Sequence, residues 1–363
     1  MTVRLTEGPD AGAAWHYGDP LREQKALVGG LAGVDLSHRP VFTVSGRDRL
    51  SWLNDISSQD FAHLEPGTPT VAYILDAQGH LTHVFGATDD GETLWCHTEP
   101  GHLPALLDWL RKMVFAARVE IADVSDAYAL VLPPARTTVA EPDEAREEMV
   151  AEPDEAREGM VAELDGAREG TVAEPDEAPS SSSGIMSSGP VMVPRDQVDA
   201  ALGENRAGIW AMEALRIASG TPRIFLDTDE RTIPNELANP EAELLGPAVH
   251  LRKGCYPGQE TVARVYNLGR PPRRLTLLHL DGSAERLPAV GAEVLADGKP
   301  VGRMGTSERH FELGPIGLAL LKRTLPADAE LVVDGVAAAQ ELLVDPESGL
   351  HWRPEPGIGR TAG

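Results

Sequence analysis

Between Val139 and Ala178 the chain runs through near-copies of one eleven-residue unit, V-A-E-P-D-E-A-R-E-x-M, marked by Val139, Val150, Val161 and Val172. A period of eleven suits a right-handed helical supercoil. However, Pro142, Pro153 and Pro175 interrupt three of the four copies, apolar side chains are sparse, and Ser180, Ser181, Ser182 and Ser183 follow as a tract. Fifteen acidic residues against three arginines give the stretch a local charge of -12. Such a segment buries too little apolar surface to offset its chain entropy, so residues 133–190 are expected to be a disordered acidic insertion. The fold must therefore be assembled from the blocks on either side of it.

Those blocks have the material for real cores, since 42% of the 363 residues are hydrophobic. Block one, residues 34–132, places Leu50, Leu53 and Ile56 on a helical face. Strands are expected through Val71-Ala72-Tyr73-Ile74-Leu75 and Leu81-Thr82-His83-Val84-Phe85, with turns at Asp76-Ala77-Gln78-Gly79 and Asp89-Asp90-Gly91. Leu103, Leu106, Leu107, Leu110 and Val114 recur at helical spacing as core residues, and strands near 119–121 and 128–132 close the block. Block two, residues 191–272, opens with a helix expected from about 206 to 219. Past Pro272 the texture changes to short strands near 274–280, 293–296, 301–304, 316–321 and 331–333, separated by turns such as Asp297-Gly298 and Asp334-Gly335. That spacing predicts a small antiparallel barrel or sandwich over 273–345 and an α+β class for the whole chain.

Charge and cysteine usage narrow the function. A formal net charge of -25 argues against broad electrostatic capture of nucleic acid, so no direct nucleic-acid partner is expected. No run is long and apolar enough to span a membrane, and the start Met1-Thr2-Val3-Arg4 has no apolar targeting core. Two distant cysteines give no disulfide framework, which points to a reducing cytoplasm. Residues 252–274 run against the overall sign, with six basic residues and one acid, either as a site for an anionic ligand or partner or as a solvated basic face.

That basic stretch contains the densest chemistry in the chain, the octapeptide Lys253-Gly254-Cys255-Tyr256-Pro257-Gly258-Gln259-Glu260. Glycine admits close backbone approach, and Pro257 suits the first turn of a helix running through Glu260 and Arg264. Cys255 would then precede a helix N-terminus, where the dipole and the Lys253 cation both favour thiolate. Cys96, in Leu94-Trp95-Cys96-His97, reads instead as a small buried hydrophobe. The histidines show no metal-ligand spacing, and two cysteines cannot hold a cluster with four thiolates, so no resident metal is expected.

The octapeptide resembles the K-G-C-[FY]-x-G-Q-E signature of the YgfZ family, folate-binding relatives of the glycine cleavage T-protein, an aminomethyltransferase. Leu215-Arg216-Ile217-Ala218-Ser219-Gly220, Arg231-Thr232-Ile233-Pro234-Asn235-Glu236 and Tyr73-Ile74-Leu75-Asp76-Ala77-Gln78-Gly79 agree with it. The resemblance implies three lobes around a tetrahydrofolate pocket, with a folate-binding α+β part and a C-terminal antiparallel β-barrel. It implies a monomeric accessory protein that works with iron-sulfur enzymes or assembly proteins and acts on cluster-dependent tRNA-modifying enzymes. Cys255 carries over as the working thiol with Lys253, Gln259 and Glu260 in support, and Tyr73, Asp76, Arg216, Tyr256, Gly258 and Arg264 as folate contacts.

Two departures bear on the reaction. The T-protein carries a catalytic aspartate pair after the hairpin glycine, whereas Gly79 here leads into His80-Leu81-Thr82-His83-Val84. Aminomethyl transfer needs a proton-handling group at the folate nitrogen, so the loss argues against that reaction. The glutamate that grips the pterin is replaced by Ala218. If the chain is an enzyme, it is expected to be a folate-dependent one-carbon transferase. The alternatives to an accessory protein are a true aminomethyltransferase and a non-enzymatic docking scaffold.

Overall fold

The computed structural model describes residues 1–135, 189–237, 248–268 and 270–343, so the acidic repeats lie outside the described residues. A short hairpin, β1 (Val3–Arg4) and β2 (Ala14–His16), precedes α1 (Pro20–Val28). Pro20 suits the first helical position, and Asp19 caps the helix by accepting from the Arg22 N–H at 3.0 Å. Strands β3 (Gly33–Asp35) and β4 (Val41–Ser45) lead into α2 (Arg49–Ile56), which buries Trp52, Leu53 and Ile56. The expected hairpin follows as β5 (Pro69–Leu75) and β6 (Leu81–Asp89). Block one is completed by β7 (Thr93–His97), α3 (Leu103–Lys112), β8 (Glu120–Asp123) and β9 (Tyr128–Leu132).

The antiparallel sheet of block one has the order β5-β6-β7-β4-β8. Helix α3 packs its buried Leu103, Leu106, Leu107 and Leu110 into one core with Phe42, Phe61 and Phe85. Each such side chain contributes about 2 kcal/mol when removed from water. Val114 lies beyond the helix end and packs only at the margin of this core.

A second sheet joins the two blocks. Beyond the repeats come β10 (Val191–Pro194), α4 (Val198–Leu202), β11 (Arg206–Ala207), α5 (Ile209–Ala218) and α6 (Gln259–Leu268). The sheet order is β10-β9-β3-β11, with β11 parallel to β3. Arg206 and Ala207 are therefore strand rather than the expected first helical turn, and α5 starts at Ile209. Because β9 and β10 pair from Tyr128↔Pro194 to Val131↔Val191, the chain leaves and re-enters this sheet at neighbouring points on either side of the repeats.

The remaining strands are β12 (Arg273–Leu280), β13 (Glu293–Ala296), β14 (Lys299–His310), β15 (Gly314–Lys322), β16 (Leu331–Val333) and β17 (Val336–Leu342). They close into a barrel in the order β12-β15-β14-β13-β16-β17. Both expected two-residue turns hold positive φ at each position, 49° and 71° at Asp297-Gly298 and 51° and 80° at Asp334-Gly335, the conformation that matches the twist of paired strands. The run expected at 301–304 is the middle of the much longer β14, and β17, absent from the expected strands, closes the barrel onto β12.

Candidate functional site

The hairpin turn and the octapeptide are brought together by two glycines. At the hairpin, Asp76 Oδ1 accepts the backbone N–H groups of Gln78 and His80 at 2.8 and 2.9 Å, Oδ2 pairs with the His80 ring at 3.0 Å, and Gly79 takes φ 85°. Burial opposes the Asp76 charge, but these hydrogen bonds hold its carboxyl below the usual range. Gly258 has φ 79°, and a Cβ there would lie 2.6 Å from the Asp76 carbonyl oxygen and 2.9 Å from Gly79 Cα. A Cβ on Gly79 would in turn meet Thr261 at 2.9 Å. The contact is backbone on backbone, which only glycine permits. With Gly258 in the left-handed region, α6 begins at Gln259 rather than at Pro257.

Lys253 is placed differently from its expected role. Its ammonium donates to the carbonyls of Asn54, Ser57 and Gln59, the last two at 2.6 and 3.0 Å, which accounts for all three of its protons. These carbonyls lie at and just beyond the C-terminus of α2, where the helix dipole favours a cation. Burial nevertheless pulls the Lys253 ammonium down to about 8. Close by in sequence to those acceptors, the Ser58 hydroxyl accepts from Tyr73 N and donates to the Ala248 carbonyl, while the Ser58 carbonyl accepts from His250 N. Lys253 and Ser58 thus rivet the segment before Cys255 onto β5 and α2. Replacing Lys253 with Met should lower stability by about 2–3 kcal/mol by orphaning buried carbonyls. Chemical denaturation checks this, and an unchanged midpoint would show that the ammonium is dispensable.

The other expected residues divide. Cys255 is exposed and Cys96 buried, where burial raises the Cys96 thiol well above its usual value. Gln259 is half-buried, whereas Glu260 and Arg264 are exposed on the first turns of α6. Tyr73 and Tyr256 share one apolar cluster, and burial pushes both phenols up to about 12. Neither hydroxyl has a hydrogen-bond partner among the described residues. The Lys253 ammonium sits 5.0 Å from the Tyr256 ring centre. Arg216 stands apart from this group, because its donors are used on Glu213, the Thr221 carbonyl, Asp227 and Thr306.

Arg216 belongs to a buried charge network that sequence reasoning missed. Arg223, 3% exposed, donates to both oxygens of Asp10 at 2.5 and 2.7 Å and to Glu99 at 2.7 Å. Glu99 also accepts from Arg39, and His38 pairs with Asp10 at 2.9 Å. Asp227 accepts from Arg216, from the Arg223 backbone and from Thr306 of the barrel. The N-terminal segment, block one, α5 and the barrel are therefore tied through one set of ions. Phe225 is held at φ 77° between Arg223 and Asp227, and its ring lies flat on His102 at 3.8 Å. A non-glycine residue in that region costs about 1 kcal/mol or more.

Residues 273–342, the six barrel strands, match the family described as CAF17, C-terminal beta-barrel domain. The match is confined to the barrel. A tRNA-modifying protein YgfZ of Edwardsiella ictaluri is 37% identical over 131 residues, covering 35% of this chain and 38% of that protein. A mitochondrial iron-sulfur cluster assembly factor IBA57 homolog of Mycosarcoma maydis is 25% identical over 256 residues, covering 66% of this chain and 55% of that protein. The chain thus spans less than two thirds of the length of either relative. The crystal structure of glycine cleavage system aminomethyltransferase T from Bartonella henselae has a TM-score of 0.66 at 15% identity, covering 95% of this chain and 94% of that one. The chain therefore has a T-protein-like fold with a CAF17-type barrel, as the sequence resemblance implies. Among the described residues no helix is long and apolar enough to cross a membrane.

Proposed function

We propose that this protein binds a reduced folate and serves the assembly or repair of iron-sulfur clusters used by tRNA-modifying enzymes, with Cys255 as its working thiol. The observation that carries the reading is the pair of largely buried tyrosines, Tyr73 from β5 and Tyr256 from the octapeptide, in one apolar cluster, whose hydroxyls have no protein partner among the described residues and are not among the fully buried unpartnered atoms, so that a ligand can reach them. A flat heterocycle with acceptor atoms, such as a pterin, would supply partners to both. Cys255, next to Tyr256, would then stand at the edge of the bound ligand, with Gly258, Gln259, Glu260 and Arg264 following along the chain. Lys253 would anchor the segment, and Asp76 would hold the turn against Gly258. Arg216, with its donors occupied, would serve the junction of lobes rather than the folate.

The relatives named for tRNA modification and iron-sulfur assembly support the role. The hairpin weighs against aminomethyl transfer. Thr82 and His83 stand in that stretch and neither is a carboxylate, and the Thr82 hydroxyl is already engaged, donating to the Ile74 carbonyl at 2.9 Å. The reducing compartment expected from unpaired cysteines is part of the reading, and the mitochondrial relative widens it beyond the cytoplasm.

Titration calorimetry with tetrahydrofolate tests the ligand. Binding should be weakened about tenfold by Tyr73→Phe or Tyr256→Phe, the effect of one lost hydrogen bond. The melting temperature of the free protein should stay unchanged, because the hydroxyls have no described partner to lose. No heat at millimolar tetrahydrofolate would remove folate from the account.

A further inference from the structure

Where the sheet of block one meets β10, the fold leaves a cavity of about 450 Å³, within the range of small-molecule sites, roughly 300–1,000 Å³. Strand register assembles its floor. Leu94 and Cys96 point into the core that holds α3, so Trp95 between them points to the opposite face of the sheet. Pro69 pairs with Thr88 and Thr88 with Trp95 across β5, β6 and β7, which sets the three side chains in one row on that face. Val191 and Met192 of β10 add apolar surface.

The polar part of the lining is anionic and fixed. Trp95 Nε1–H donates to Asp90 Oδ2 at 2.8 Å, and the Tyr128 ring meets the indole at 4.8 Å and 61°. Asp90 Oδ1 accepts the backbone N–H groups of Glu92 and Thr93 at 2.9 and 2.7 Å, so the carboxylate keeps one free lone pair, on Oδ2 beside the indole. The Trp95 bond, with these two, holds the Asp90 carboxyl below its usual range and keeps it ionised at neutral pH. Arg49 stands near enough to act on Asp90, but its guanidinium donates to both oxygens of Asp89 and to the Gly91 carbonyl, and Glu92 adds a third carboxylate to the same corner. The corner therefore keeps a negative balance. Among the described residues that line the cavity none is a lysine, arginine or histidine, so nothing there would hold an anion. A bare divalent ion needs about six oxygen ligands, whereas an ammonium needs one anionic acceptor and a surface for its carbon body.

We infer that this cavity binds a small protonated amine with an apolar body, its ammonium on Asp90 Oδ2 and its body against Trp95, Pro69 and Met192. Tyr73 lies four residues along β5 from Pro69, about 13 Å away, so the inference stands apart from the folate reading.

Calorimetry on the full chain tests it with phenethylammonium, which should bind at one equivalent per chain. Ethylammonium keeps the charge without the ring, and phenylacetate keeps the ring with the opposite charge. Each should bind at least about tenfold more weakly than phenethylammonium. Asp90→Asn should weaken binding about tenfold or more, the effect of one charge-assisted hydrogen bond. Because Asp90 also holds its own turn, Thr88→Lys serves as a second variant, which leaves Asp90 in place and adds a tethered ammonium to the row beside Trp95. It too should weaken binding about tenfold or more. Circular dichroism confirms that each variant is folded. The inference is overturned if phenethylammonium gives no heat at millimolar concentration, if ethylammonium or phenylacetate matches it, or if either folded variant binds it as well as the wild type.

Discussion

Arg223→Ala should destabilise the protein by about 4 kcal/mol, because deleting one partner of a buried ion cluster strands the others. Asp10 and Glu99 would lose the guanidinium that bonds them at 2.5–2.7 Å, in a place where water cannot replace it freely. Burial opposes the Asp10 charge, yet the His38 and Arg223 hydrogen bonds hold its carboxyl well below the ordinary value of 3.8. A carboxyl depressed on folding stabilises above its unfolded pKa, and that contribution disappears as pH falls below 3.8. Arg223→Ala should therefore unfold at lower denaturant and lose part of the wild type's acid sensitivity. Urea titrations at neutral pH and near pH 3 measure both. A loss under about 1 kcal/mol would show that the lobes are held by apolar packing alone.

Glu308 should impose the opposite pH dependence. It is 5% exposed on β14, accepts the Arg309 backbone N–H at 2.9 Å, and lies within reach of the Glu213 charge on α5. Burial pushes its carboxyl up to about 8; the Arg309 N–H opposes this and Glu213 adds to it. A pKa raised on folding gives stability that is fully present below the unfolded value of 4.5 and declines as pH rises through about 8. The ceiling on that decline is about 5 kcal/mol. Glu308→Gln keeps the shape and removes the titration. The difference between wild type and variant should therefore grow from about pH 5 to about pH 8 in the variant's favour and then level off. A difference constant with pH would contradict the assignment.

Local pattern made much of the fold legible. Short strand-like runs bounded by turn residues located β5 and β6, leucine spacing located α3, and Asp-Gly pairs located two barrel turns, because each signal lies within about ten residues of sequence. β17 has weak local signal: Ala337, Ala338 and Ala339 carry no strand preference, and pairing with β12 and β16 decides their conformation. The same holds for Arg206 and Ala207, drawn into strand by β3.

At the candidate site, the octapeptide was visible but its supports were not. Lys253 reads as a cation beside Cys255, whereas the fold directs its ammonium to carbonyls almost two hundred residues earlier, beyond the reach of any local rule. The Arg223 network spans similar distances, with Glu99 and Asp10 separated from it by 124 and 213 positions. Phe225 at φ 77° contradicts local preference outright, and only the surrounding Arg223–Asp227 turn and the His102 stack explain it.

Cys255 stands at the centre of the proposed function, and a strain lacking this gene tests it most directly. Cluster-dependent methylthiolation of tRNA should fall in that strain, and wild-type protein should restore it. Cys255→Ala should fail to restore it while accumulating as a folded protein, whereas Cys96→Ala should restore it, since Cys96 is buried and unpaired. Full restoration by Cys255→Ala, at wild-type protein levels, would contradict the assignment of Cys255 as the working thiol.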